Sequence, residues 1–145
     1  MLIAYIAGIL ELGCGEMSNT RLSSPKKVFI VDDNQTNLAT AKETLKDDYF
    51  ITCMTSADRM FILLEKLVPD LILLDIEMPE MDGFEALAKL RASDDPVQRD
   101  MKVIFLTSHG SGDNVKLAAQ HGADGFIIKP FIPSELKLRV AQHLQ

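Results

Sequence analysis

The sequence has few cysteines, no surplus of positive charge and no long apolar run, and each shortage excludes a class of protein. Its two cysteines, Cys14 and Cys53, form no CxxC or Cys–His spacing, which argues against a zinc site or a redox dithiol. Cys53 lies in an apolar strand pattern and is interpreted as buried. The formal net charge of −6 disfavours anionic partners. We therefore expect no nucleic-acid binding, no membrane association and a cytoplasmic location.

The longest apolar run covers residues 2–10, near the N-terminus. It is too short to cross a bilayer, which takes about 20 residues, and no Lys or Arg precedes it, as a secretory signal requires. We interpret residues 1–25 as an N-terminal extension and linker that is poorly ordered or non-native, with Met17 as the natural start. A short docking helix is the alternative. Residues 26–145 are expected to form one domain.

Five short apolar runs alternate with five segments of helical periodicity. Each run is too short for a helix, and Ser56 and Ser134 are predicted N-caps, while Gly122 is a predicted helix end. A strand followed by a helix, five times over, predicts a parallel sheet covered on both faces. The predicted strands cover residues 28–31, 50–54, 71–74, 103–106 and 126–128.

Right-handed crossovers place the C-terminal ends of all these strands at one edge of the sheet. The residues that end the strands are Asp32, Asp33, Asp75, Thr107 and Lys129. Three neighbouring carboxylates repel by roughly 4 kcal/mol per pair at 4 Å and an effective dielectric near 20, so a single lysine does not offset them. Oxygen ligands of this kind suit Mg²⁺, with Mn²⁺ as a substitute. The set predicts a phosphoryl-transfer site with Asp75 as the nucleophile.

Four motifs in this order resemble the receiver domain of two-component response regulators. They are VDDN at 31–34, LLDIEMPEMDG at 73–83, FLTS at 105–108 and GADGFIIKPF at 122–131. The resemblance covers residues 26–144. It implies a flavodoxin-like (βα)5 three-layer sandwich with a five-stranded parallel sheet in the order 2-1-3-4-5.

The resemblance also implies a metal site around the phosphoacceptor. Asp75 falls on the phosphoacceptor position of the family. Asp33, Asp75 and the backbone carbonyl of Glu77 fall on its Mg²⁺-ligand positions, and Asp32 matches an acid that usually acts through metal-bound water. Thr107 matches the switch hydroxyl.

Further positions correspond to the parts that respond to the phosphoryl group. Lys129 matches the lysine that contacts this group, and the Lys129-Pro130 bond matches one that is cis in the family. Phe126 stands at the position of the switch aromatic. Glu77 and His109 occupy positions that tune the lifetime of the phosphoryl group in the family.

The implied function is that of a regulator. The chain would accept a phosphoryl group from a sensor histidine kinase or a phosphotransfer protein. It would then change the surface formed by its fourth helix, fifth strand and fifth helix, and so regulate an output protein or domain. It would promote only its own phosphotransfer and dephosphorylation, so it would not be an enzyme acting on other molecules. A phosphorylation-dependent homodimer is compatible with this reading.

Three other functions share parts of this residue set. A phosphatase of the haloacid dehalogenase type also uses Mg²⁺ and an aspartyl nucleophile, but its nucleophile belongs to a DxD pair, whereas Ile76 and Glu77 follow Asp75. A flavodoxin would need a Ser/Thr-Gly-rich phosphate loop after the first strand, where Asp32 and Asp33 would repel phosphate. A receiver-like interaction module that is never phosphorylated is the third, and the complete acidic set argues against it.

Overall fold

The computed structural model describes residues 24–108 and 112–144, which form five strands and six helices. The predicted N-terminal extension lies outside these residues up to position 23. The strands are β1 Lys27–Val31, β2 Phe50–Met54, β3 Leu71–Asp75, β4 Val103–Thr107 and β5 Gly125–Ile128. The helices are α1 Gln35–Leu45, α2 Ala57–Leu64, α3 Gly83–Arg91, α4 Pro96–Arg99, α5 Gly112–Gln120 and α6 Pro133–His143.

All five strands are parallel and lie in the order β2-β1-β3-β4-β5. This confirms the predicted flavodoxin-like fold. Every residue of β3 and β4 is buried, whereas β2, at one edge of the sheet, is mostly half-buried. The prediction that Cys53 is buried is wrong for this reason, because an edge strand has a neighbour on one side only.

Two hydrophobic clusters cover the two faces of the sheet. Phe29 and Val31 of β1 point into one cluster, with residues of α2 and α3, while Val28 and Ile30 point into the other, with residues of α1 and α6. This alternation follows from the period of two in a β-strand. The core therefore packs against the strands on both faces of the sheet, and this packing also restricts the movement of the strand ends.

The structure confirms some of the predicted helix ends and corrects one. Ser56 caps α2 by accepting a hydrogen bond from the Arg59 N–H at 3.2 Å. Gly122 follows α5 with a φ of 82°, a conformation that favours glycine. The prediction that Ser134 caps the last helix is wrong. Pro133 occupies the first helical turn, so α6 begins before Ser134 and has no side-chain cap.

The short helix α4 was not predicted. It lies in the loop before β4, where the Asp95 carboxylate accepts a hydrogen bond from the Val97 N–H at 2.9 Å and Pro96 takes the first helical turn. The Arg91 guanidinium of α3 donates to the Met101 carbonyl at 2.7 Å beyond this helix. The loop is thereby held at the edge of the sheet opposite to the predicted site. None of the helices formed by residues 24–108 and 112–144 is long and apolar enough to cross a membrane.

Gly83 at the start of α3 lies against the backbone of Asp75. Its N–H donates to the Ile76 carbonyl at 2.8 Å. A Cβ at position 83 would lie 2.5 Å from the Asp75 carbonyl oxygen and 2.8 Å from the Ile76 Cα. These are backbone atoms of a buried strand end, so a side chain at position 83 would force β3 and α3 apart.

We predict that Gly83→Ala lowers the free energy of unfolding by about 1–3 kcal/mol, the usual cost of inserting an extra carbon into a packed site. Urea unfolding followed by circular dichroism measures this loss. Gly125→Ala is the matched control, because a Cβ there would meet the His143 ring at 3.4 Å, close to an ordinary contact. Equal losses for the two variants would contradict the role assigned to Gly83.

Candidate functional site

The ends of β1 and β3 bring three carboxylates together. Carboxylate oxygens of Asp32, Asp33 and Asp75 all lie within 4.8 Å of one another. Asp32 and Asp75 are 0% and 1% exposed, respectively, whereas Asp33 is exposed. The strands are neighbours in the sheet, and their apolar residues are fully buried, so the two buried acids have little freedom to move apart.

Lys129, which follows β5, is the cation within this group. Its Nζ donates to Asp75 Oδ1 at 3.0 Å and to Asp32 Oδ2 at 3.3 Å. Its backbone N–H donates to the Thr107 carbonyl at 2.7 Å, which fixes the start of the loop that carries it. The Lys129–Pro130 peptide bond is cis. One ammonium thus faces three carboxylates, and the local charge is unbalanced.

The pKa of Asp75 reflects this imbalance. Burial raises it, the hydrogen bond from Lys129 lowers it, and the charge of Asp32 raises it further, with a net result of about 7. Burial alone would lower the pKa of Lys129, but its contacts with Asp75 and Asp32 raise that pKa overall. The Lys129 ammonium therefore stays charged. Ionising the Asp75 carboxylate costs free energy, and a bound cation would reduce that cost.

Two asparagines of the α1 start, which the sequence analysis missed, hold Asp32 in place. Asn37 Nδ2 donates to Asp32 Oδ2 at 3.2 Å, and the Asn34 N–H donates to Asp32 Oδ1 at 2.9 Å. Asn34 also caps α1, because its side-chain oxygen accepts from the N–H groups of Thr36 and Asn37. The signal was present in the sequence as an N-cap residue directly after the acidic pair.

The donor set fits Mg²⁺. The atoms offered are carboxylate oxygens, and the pocket around them, about 490 Å³, is open and lined by polar side chains. Among residues 24–108 and 112–144, no His or Cys belongs to this group, and an all-carboxylate set is not the usual chemistry of a zinc site. The Glu77 N–H donates to Asp75 Oδ1 at 3.2 Å, so Glu77 also belongs to the site. Its exposed carboxylate accepts a hydrogen bond from Ser108 Oγ at 3.4 Å across the pocket.

Two of the remaining predicted residues, Thr107 and Phe126, do not line this pocket. Thr107 ends β4 and is buried, next to the strand that carries Asp75. Phe126 pairs in register with Phe105 and is half-buried against the cluster that also contains α2 and α3 residues. His109 lies outside the described residues.

Comparisons with known proteins agree with the observed fold. The family model described as "Response regulator receiver domain" matches residues 28–141. The chain is 35% identical to a probable cyclic di-GMP phosphodiesterase of Vibrio cholerae over 81% of its own length and 26% of that protein. It is also 35% identical to the transcriptional regulatory protein PrrA of Mycobacterium bovis, over 84% of its own length and 51% of that protein.

Solved structures show the same relationship. The chemotaxis response regulator CheY4 of Vibrio cholerae superposes with a TM-score of 0.76 at 26% identity, covering 83% of this chain and 99% of that one. The chain spans about a quarter to a half of the length of the two curated relatives above. The activities named for those longer proteins are therefore not assigned to this chain.

We predict that Asp75→Asn stabilises the protein when divalent metal is removed with EDTA. The pKa of Asp75 is about 7 in the folded state, against about 3.9 in an unfolded chain. Between these values the folded state holds a proton that the unfolded state has lost, so stability falls as pH rises through this interval. The Tm advantage of the variant should therefore grow from about pH 4 to pH 7 and reach several degrees.

Added Mg²⁺ should raise the Tm of the natural chain and reduce this advantage, because a bound cation offsets the charge that the variant lacks. Asp94→Asn, at an exposed loop position, is the control and should show no such pH dependence. A natural chain that is more stable than Asp75→Asn in EDTA at pH 8 would contradict the assignment of an energetic cost to the Asp75 charge.

Proposed function

The chain belongs to the response regulator receiver domain family, and we propose from this premise that Asp75 accepts a phosphoryl group from a sensor histidine kinase or a phosphotransfer protein. Receiver domains of response regulators interact with histidine kinases and with output domains. The observation that carries the proposal is the pairing of a buried, destabilised Asp75 carboxylate with the ammonium of Lys129 in an open polar pocket.

The reaction requires an in-line attack by the Asp75 carboxylate on the phosphorus of a phosphohistidine. A bond forms between a carboxylate oxygen and phosphorus, and the bond from phosphorus to the imidazole nitrogen breaks with its electron pair going to that nitrogen. Lys129 contributes positive charge beside the attacking oxygen, 3.0 Å from its Nζ in the resting state. The product is an acyl phosphate on Asp75, which adds acceptor oxygens and negative charge at the strand end.

A divalent cation fits the same site. Asp33, Asp75 and the backbone carbonyl of Glu77 would hold Mg²⁺, with Mn²⁺ as a substitute, and Asp32 would support them from its buried position. When bound, the metal supplies positive charge that offsets the three carboxylates and the incoming phosphate oxygens. Asn37 keeps Asp32 aligned for this through its hydrogen bond at 3.2 Å.

The response would pass through β4 and β5. Thr107 would hydrogen-bond a phosphoryl oxygen, and Phe126 would turn further inward as Thr107 moves. Hydrogen bonds to charged groups contribute about 1.5–3 kcal/mol each. The bonds from Thr107 and Lys129 to the phosphoryl group would together approach the roughly 5.5 kcal/mol needed for a near-complete shift between two states. The surface that changes would be formed by α5, β5 and α6.

The side chain of Glu77 is placed to influence the lifetime of the acyl phosphate. It is exposed at the mouth of the pocket and accepts from Ser108 Oγ. His109 is proposed for the same role, although it lies outside the described residues. We also propose a cytoplasmic location and, as one route to output, a phosphorylation-dependent homodimer.

We predict that incubation with Mg²⁺ and acetyl phosphate adds one phosphoryl mass to the protein, and that Asp75→Asn abolishes this addition because it removes the nucleophile. Intact-protein mass spectrometry measures the change. Asp94→Asn should be modified like the natural chain, and EDTA should prevent modification of both. An unmodified natural chain under conditions that phosphorylate another receiver domain would overturn the proposal.

The alternative of a haloacid dehalogenase type phosphatase predicts a different result in a related assay. Such an enzyme would release many equivalents of phosphate from an external phosphomonoester. The receiver function predicts no sustained release from a phosphomonoester, since its phosphate release is limited to hydrolysis of the Asp75 acyl phosphate formed from a reactive phosphodonor. Phosphate release is followed with p-nitrophenyl phosphate. Multiple turnovers that depend on Asp75 would favour the phosphatase.

We predict that Lys129→Ala retains Mg²⁺ binding but is phosphorylated more slowly, by about 100-fold if it removes 2–3 kcal/mol of charge stabilisation. Mg²⁺ titration followed by amide chemical shifts near Asp75 measures the first property, and mass spectrometry over time measures the second. Shift changes at Phe126 after phosphorylation should also shrink. Lys137→Ala, an exposed position on α6, is the control.

A further inference from the structure

The outer edge of β2 is an unpaired strand edge within the described part of the chain. β2 lies at the end of the sheet and pairs with β1 alone. The Phe50 N–H donates to the Lys26 carbonyl at 2.9 Å, and the Met54 carbonyl accepts from the Asp32 N–H at 3.0 Å. Because backbone groups alternate sides along a strand, the N–H and C=O groups of Ile51 and Cys53 point away from β1.

This edge lacks the usual features that prevent another strand from pairing with it. Proteins guard exposed edges with charged residues, proline or a bulge. The β2 sequence FITCM contains no charge and no proline, and its register with β1 is continuous over all five residues. Two large apolar side chains are exposed beside it, Phe50 at 57% and Ile62 at 62%.

Two grooves run along the edge, one on each face of the sheet. The groove on the α2 side is about 350 Å³, and its lining includes Ile62 and Met54 together with the cations Arg59 and Lys66. The groove on the α1 side is about 310 Å³, and its charged residue is Lys42. The charged side chains that line both grooves are therefore all cationic, in a chain whose formal net charge is −6.

This charge pattern selects among the possible occupants. A second copy pairing its own β2 antiparallel in one continuous sheet would place Arg59 and Lys66 against the same cations of the first copy, which is repulsive. An acidic extended segment would meet those cations with opposite charge while its backbone pairs with Ile51 and Cys53. Such strand addition obtains affinity from main-chain hydrogen bonds and specificity from side-chain pockets.

We propose that the outer edge of β2 is a docking site for an extended acidic segment of a partner protein, which adds to the sheet as a sixth strand. β1 separates β2 from β3, which carries Asp75, and the docking proposal does not depend on the function proposed for Asp75. Its elements are the outward backbone groups of Ile51 and Cys53 and the groove cations Arg59, Lys66 and Lys42.

The test uses the full chain and a fluorescein-labelled decapeptide of alternating Glu and Val. Fluorescence anisotropy should show saturable binding that weakens as salt is raised, because exposed charges are screened. Hydrogen exchange followed by NMR should slow at least tenfold at the Ile51 and Cys53 amides on saturation. A decapeptide of alternating Lys and Val, with the same backbone and opposite charge, should bind at least tenfold more weakly.

Two variants separate the charge from the strand edge. Arg59→Glu combined with Lys66→Glu should weaken binding of the Glu-Val peptide at least tenfold. Lys116→Glu combined with Lys137→Glu is the control, since it makes the same change in net charge on α5 and α6 and should bind like the natural chain. Phosphorylation by acetyl phosphate should be unchanged in both.

Cys53→Pro tests the backbone contribution. It removes an N–H that points outward and is not needed for pairing with β1, so the fold should be retained and peptide binding lost. Cys53→Ala keeps the N–H and should bind normally. Far-UV circular dichroism checks folding, and if Cys53→Pro does not fold, the charge-reversal pair still decides the result.

Four results would overturn the proposal. The first is no binding up to 1 mM peptide, and the second is equal binding of the two peptides. The third is a salt-sensitive dimer in sedimentation experiments that the Arg59→Glu and Lys66→Glu pair abolishes, since this would assign the edge to a second copy. The fourth is binding that emerges only after deletion of residues 1–23, which would assign it to the chain's own N-terminal segment.

Discussion

Two carboxylates, Asp32 and Asp75, are buried at the ends of adjacent strands with a single ammonium between them, and the rest of the site follows from that arrangement. Desolvation penalises their charges, and mutual repulsion adds to the penalty. Lys129 offsets only part of it, as the raised pKa of Asp75 indicates. The site is therefore energetically incomplete without further positive charge. This property makes a divalent cation a suitable occupant, and that cation would also offset the negative charge of an incoming phosphoryl group.

Carboxylates that repel one another stay close together only if the strands that carry them are rigid. β3 is buried over its whole length, and α3 lies so close to its end that position 83 has no room for a Cβ. Asn37 and the Asn34 N–H fix both oxygens of Asp32. The stability lost by placing charges together is supplied by the two hydrophobic clusters on either face of the sheet. The Asp75 charge on which the proposed function depends therefore lowers stability, and the residues that restore stability lie elsewhere, in the two hydrophobic clusters.

The apolar runs and the parallel topology were sufficient to predict the residues that end each strand. The strand order was implied by the resemblance to receiver domains, and the structure has that order. It was less informative where a choice between neighbouring residues depends on geometry. Ser134 was predicted to be a cap although Pro133 already starts the helix. The helix α4 was not predicted, although the Asp95-Pro96 pair signals a helix start. The close approach of Gly83 to Asp75 depends on tertiary packing, so no local pattern indicates it.

The acidic cluster is connected to both halves of the sheet, but by different kinds of contact. Toward β2, the connection is the Asp32 N–H bonded to the Met54 carbonyl at 3.0 Å, which belongs to a regular strand ladder. Toward β5, it includes the Lys129 ammonium. Under the proposed function it also includes the Thr107 and Phe126 side chains, which would change rotamer without breaking the ladder. We infer that a charge change at Asp75 alters the β5 side and leaves the β2 edge unchanged. One edge would then carry the switch and the other a permanent docking surface.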